Sequence, residues 1–266
     1  MTIICSVLMP SSLEEAKLKI IKLIMDNKRG VILFILAALL APPGLWTLYQ
    51  AYENKQEESS LIETSLTKAD SLYNAGEYEE AIGLYEETIK KIPPKKFPLE
   101  YGDAQNTLGA AYWSLADVRD KESNLEKAIY AYNEALKIYT LKSYPLDYAN
   151  TQNNLGNAYG DLADVRDKES NLEKAIYAYN EALKIRTIEG YPLNYAMTQN
   201  NLGTAYWSMA GVRDKESNLE KAIYAYNEAL KIRTLESYPL NYASIKGNLA
   251  IAENAMTGPD DNSRYE

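Results

Sequence analysis

Asparagine is the residue whose type and spacing first suggest chemistry in this chain. Asn150, Asn153, Asn154 and Asn157 fall within eight residues, and Asn106, Asn200, Asn201 and Asn248 stand at corresponding points of neighbouring stretches. At helical spacing they share one face, together with Asp161. A carboxamide offers both donor and acceptor, so a row of them matches the backbone of an extended peptide whatever its side chains. Asparagine forms helices less readily than Lys, Glu or Gln, by several tenths of a kcal/mol, so clustering it on a free surface is unexpected. Helix layers roughly 10 Å apart would offer one amide for about every three residues of such a peptide. Two readings stay open: peptide binding by the row, and asparagine–asparagine bonding between neighbouring helices. Trp113 and Trp207 occur where the middle stretch has Gly160. They are candidate anchors for an apolar side chain, or packing between helices.

Other chemistries lack their residues. The chain has no His, and Cys5 is its one Cys. Disulfides within the chain are therefore impossible, and the usual zinc and Cys/His nucleophile constellations are absent. No titratable cluster with a nucleophile stands apart from the repeated surface charges, so no catalytic, cofactor-binding or metal-binding residue is expected. A net charge of −9 argues against nucleic acid as a partner.

The elements that must position the asparagines repeat. Residues 144–190 form a 47-residue unit that returns at 97–143 and 191–237, with a truncated copy from Tyr238. The block VRDKESNLEKAIYAYNEALKI is identical in the three full copies, starting at Val118, Val165 and Val212. Each unit reads as two helices. Tyr148, Gln152, Leu155, Tyr159 and Leu162 mark one face of the first, with Pro145 just inside its start. Leu172, Ala175, Ile176, Tyr179, Ala182 and Leu183 mark the apolar face of the second. Ser170 with Glu173 reads as a capping box opening it, repeated at Ser123/Glu126 and Ser217/Glu220. Neither helix can bury its stripe alone, so the units must stack into a solenoid.

Leu155-Gly156-x-x-Tyr159 in the first helix and Ala175-x-x-x-Tyr179-x-x-Ala182 in the second resemble the tetratricopeptide repeat (TPR) signature. That repeat has about 34 residues, so the unit resembles its long-period variants, and more distantly the repeats of kinesin light chains. An unextended unit at 62–95 fits the shorter spacing through Ala69, Gly76, Ala81, Tyr85 and Pro93. The resemblance implies an all-α solenoid of helix pairs whose first helices line a groove for a protein or peptide partner. The family's carboxylate clamp, which needs Lys or Arg beside Asn in the groove, is not matched.

Upstream, Ser12 and Glu15 read as a capping box opening a short basic amphipathic helix, within a segment 1–30 expected on the cytoplasmic side. Residues 31–49 carry no charge, and as a helix would run about 28 Å, close to the ~30 Å of a bilayer core. With Trp46, Tyr49 and Tyr52 at its far end, 31–52 reads as an N-terminal transmembrane helix, though Pro42-Pro43-Gly44 must kink or break it. A cleaved signal peptide is the competing reading, and a buried soluble helix a third. Five basic residues precede the span and Lys55 alone follows it closely, which places the repeats outside the cytoplasm. Residues 53–60 read as a polar linker, 61–256 as the solenoid with a capping helix at 238–256, and 257–266 as a disordered tail. The resulting expectation is a membrane-anchored interaction scaffold. A self-assembling spacer, associating through the repeat ends, is the alternative.

Overall fold

The computed structural model describes residues 43–257. Among them it contains α1 (Pro43–Asn74), α2 (Tyr78–Ile89), α3 (Pro98–Ala116), α4 (Lys121–Ala135), α5 (Pro145–Ala163), α6 (Lys168–Leu183), α7 (Pro192–Ala210), α8 (Lys215–Leu230) and α9 (Pro239–Thr257). Contacts divide the chain into two units between Thr64 and Ser65. The described part of the first unit is residues 43–64, the N-terminal portion of α1.

In the second unit each first helix packs on its own second helix and on the first helix of the next repeat, as α3–α4 and α3–α5 illustrate. Each second helix then packs on the first helix that follows. Contacts run only between neighbours, which is the solenoid the repeat demands. Pro98, Pro145 and Pro192 open their helices at the first turn, where the missing N–H costs nothing. Gly109, Gly156 and Gly203 are needed for close approach. A Cβ at Gly156 would lie 2.5 Å from the ring of Tyr179, and the other two meet Tyr132 and Tyr226 the same way. Burying each of these rings contributes on the order of 1.5–3 kcal/mol.

The second helices begin three residues before the expected capping boxes. Asp120, Asp167 and Asp214 adopt φ of 48°, 45° and 45° and precede helices that start at Lys121, Lys168 and Lys215. Asp tolerates this left-handed conformation better than most residues. The turn is closed not by Ser but by Asn: Asn124, Asn171 and Asn218 donate through Nδ2 to the carbonyls of Arg119, Arg166 and Arg213 at 2.8–2.9 Å. Those arginines reach back one repeat. Arg166 pairs with Glu122 at 3.2 Å and with Glu126, and Arg213 with Glu169 and Glu173 at 2.8 and 2.5 Å. Half-exposed pairs contribute only about 0.2–1 kcal/mol each, but they fix register. The identical block thus offers two glutamates forward and one arginine back.

The expected transmembrane helix is not supported. Among the described residues no helix is long and apolar enough to cross a membrane. α1 is described from Pro43 onward. From Pro43 to Tyr52, before the first charge at Glu53, α1 has about 15 Å of uncharged length, half a bilayer core. It then continues as helix through 53–60, the stretch read as a linker. Residues 31–42, the basic N-terminal segment with its topology, and 258–266 lie outside the described residues.

Candidate functional site

The asparagine row lies along α3, α5, α7 and α9, and much of it bonds from repeat to repeat. Thr151 donates to Asn106 Oδ1 at 3.1 Å, and Thr198 to Asn153 Oδ1 at 3.0 Å, the same rung one unit on. Asn201 donates through Nδ2 to Asn157 Oδ1 at 3.0 Å, which also accepts from the Tyr179 hydroxyl at 2.9 Å. Asn153 is fully buried. The next Thr–Asn rung is missing, because Ile245 stands where Thr198 and Thr151 stand earlier. Asn200 Oδ1 is accordingly buried without a hydrogen-bond partner among the described residues. Asn154 and Asn248 are half-buried on their helices.

Asn150 accepts from Arg186, a residue sequence reasoning passed over. Arg186 is buried, with Nη2 2.8 Å from Asn150 Oδ1 and Nη1 2.8 Å from Thr198 Oγ1. Both partners are neutral, and burial pushes its guanidinium down to about 10. The signal available was the substitution at one repeat position: Tyr139, Arg186, Arg233.

The two tryptophans have different surroundings. Trp113 is half-buried and donates from Nε1 to Asp161 Oδ2 at 2.6 Å, one repeat further on. Trp207 is 42% exposed on α7. Between them, at Gly160, a cavity of about 340 Å³ opens between α3, α5 and α7. Trp113 lines it, as do Asn157, Gly160, Asp161, Thr204 and Ser208. Burial raises the Asp161 carboxyl above its ordinary range, partly opposed by the Trp113 hydrogen bond.

A second surface was not foreseen. Tyr130, Tyr177 and Tyr224 occupy one repeat position on the second helices and are 64–66% exposed. Beside Tyr130 is a cavity of about 540 Å³ involving Leu108 and Tyr112, and beside Tyr177 its counterpart of about 350 Å³ involving Leu155 and Tyr159. Lys127 and Lys174 lie over the Tyr112 and Tyr159 rings, 5.2 and 5.3 Å from their centroids. Among the described residues no group of acidic, His or Cys side chains is arranged to hold a metal ion.

Residues 66–143 and 149–187 match two family models, both described as tetratricopeptide repeat. With the helix pairs and the 47-residue period, these matches identify residues 66–143 and 149–187 as tetratricopeptide repeats stacked in a solenoid. Among solved structures it is similar to BtubC (BKLC) from P. vanneervenii, 24% identical over 78% of this chain and 77% of that one, with a TM-score of 0.49. It is also similar to TTC0263, a thermophilic TPR protein in Thermus thermophilus, 19% identical over 70% of this chain and 98% of that one, with a TM-score of 0.38. No curated protein matches the sequence. TPR solenoids are in general non-catalytic scaffolds for protein–protein interaction.

Proposed function

We propose that this chain is an interaction scaffold that holds an extended segment of a partner protein along its first-helix face, over α5 and α7. The observation that carries this reading is on α7, where Met197 and Trp207 are 41% and 42% exposed on the same helix that brings Asn201, Thr204 and Ser208 to the polar cavity. Apolar anchors beside polar groups are what a partner segment needs for affinity and direction. The asparagines enter differently from the simple row. Asn106, Asn153, Asn157 and Asn201 bond between repeats and shape the face, leaving Asn154 and Asn248 as half-buried amides along it.

Substituting the exposed anchors tests the reading. Met197→Asp and Trp207→Asp should each weaken a captured partner about tenfold or more while leaving the melting temperature in place. Tyr177→Asp on the second helices should leave binding alone. Loss of binding from Tyr177→Asp with the α7 variants unaffected would move the site to the other face.

Self-association is the second reading, favoured by the last helix. Leu240 and Ile251 on α9 are 86% and 54% exposed, apolar residues at the terminal repeat that a further copy would cover. Light scattering decides it: a concentration-dependent rise in mass, abolished by Leu240→Asp, supports end-to-end assembly, and a constant monomer mass removes it.

A further inference from the structure

The middle repeat departs from its neighbours in one place that packing does not explain. Its second helix is identical to theirs, yet Gly160-Asp161 stands where both other full copies have Trp-Ser, at Trp113-Ser114 and Trp207-Ser208. A glycine inside a helix costs about 0.5–1 kcal/mol relative to Ala. Gly156 earns its place through the Tyr179 ring at 2.5 Å, but a Cβ on Gly160 would meet only the Tyr179 hydroxyl, at 3.9 Å. What Gly160 does is leave open the cavity of about 340 Å³.

The lining is acidic and aromatic. Asp161 and Asp164 bring two carboxylates, Asn157 and Ser208 bring polar atoms, and the Trp113 indole forms a wall. Asp161 uses Oδ2 for the Trp113 N–H at 2.6 Å, which fixes the carboxylate's orientation. Among the described residues no basic side chain lines the cavity; Lys121, at the start of α4, acts on Asp161 from outside it.

We infer that the Gly160 cavity receives the cationic side chain of a lysine or arginine from the partner segment, with Asp161 and Asp164 as its counter-charges and Trp113 against its stem. This rests on the first-helix face being the partner-binding face. A cation beside an indole wall and paired carboxylates gains from both. The chain's net charge of −9 favours a basic partner at longer range.

The test titrates the full chain with terminally blocked peptide pools, random except for a central Lys, Arg, norleucine or Glu. Two variants accompany it. Gly160→Trp installs the residue both neighbouring copies carry. Trp113 reaches Asp161 and a Trp at position 160 would reach Ser208, 48 residues on in each case, across the cavity. Asp161→Asn keeps an acceptor for the Trp113 N–H while removing the charge. The Lys and Arg pools should bind about tenfold or more tighter than the norleucine pool, and each variant should erase that preference without lowering the melting temperature. Equal binding of all pools, or a preference that survives Gly160→Trp, overturns the cavity's role and leaves the binding face standing. Failure of every pool to bind removes both.

Discussion

At the residue scale the asparagines divide by what lies across the repeat boundary. Asn153 is buried and accepts from Thr198, whose hydroxyl also has the Asn194 carbonyl at 2.9 Å, so Asn153→Ala removes one inter-repeat hydrogen bond and should cost about 0.5–1.5 kcal/mol. Asn200 holds the same position one unit on but faces Ile245 and has a buried Oδ1 without a partner. Asn200→Ala should therefore be neutral or slightly stabilising, helped by the better helix propensity of Ala. Chemical denaturation of the two single variants checks this pair. An equal loss in both would show that the rungs do not set the difference. The row itself was legible from spacing, because residues three and four apart share a helix face whatever surrounds them. Which amides would be consumed by rungs was not, since that depends on helix-to-helix register and on Ile245 replacing a threonine.

At the element scale the distinction is between glycines that admit a ring and one that does not. Gly156→Ala drives a Cβ into Tyr179 at 2.5 Å and should destabilise by about 1–3 kcal/mol. Gly160→Ala meets only the Tyr179 hydroxyl, at an ordinary contact distance of 3.9 Å, and should stabilise the same helix by about 0.5–1 kcal/mol. Thermal melts of both, compared with the unsubstituted chain, read the sign directly. The helix pairs were visible in advance from periodicity and the proline at each first turn. The start of each second helix was misplaced because the capping-box pattern of Ser and Glu competes with a left-handed Asp, closed by Asn onto an arginine carbonyl. The N-terminal span misled in a similar way: lack of charge over 31–49 counted as length, whereas α1, described from Pro43, becomes charged at Glu53.

At the scale of the whole molecule, the tyrosines make stability sensitive to alkali. Burial first, then hydrogen bonds to Glu181 and Glu228, push Tyr148 and Tyr195 up to about 12. Burial pushes Tyr132 and Tyr179 higher still. The unfolded chain releases these protons near pH 10, so between about pH 10 and 12 the folded state holds more protons and stability falls as pH rises. Arg186 acts oppositely: pushed down to about 10, it sheds its buried charge in the fold first and gains stability over the same window. Tyr85, Tyr112 and Tyr139 are pushed up as well, so the tyrosines outweigh the arginine. The share of tyrosinate absorbance that comes from the buried rings should therefore appear only together with a cooperative loss of helical circular dichroism, above pH 10. Complete tyrosinate formation with the helix intact would mean the buried rings are not held as described. Deleting residues 144–190 tests the stack itself, because α4 would then meet α7 as it now meets α5, through the same residues of the repeated block. The shortened chain should remain helical and unfold cooperatively, and a broad, non-cooperative melt would show that the register is wrong.

The most direct measurement of the central claim, that partners are held on the first-helix face, is a photo-crosslinking map of the full chain. A photoreactive amino acid would be placed in turn at Met197, Asn201 and Ser208, and at Tyr130, Tyr177 and Tyr224 on the second helices. The account predicts partner adducts from the first three positions and none from the tyrosine positions. Adducts confined to Tyr130, Tyr177 and Tyr224 would contradict it.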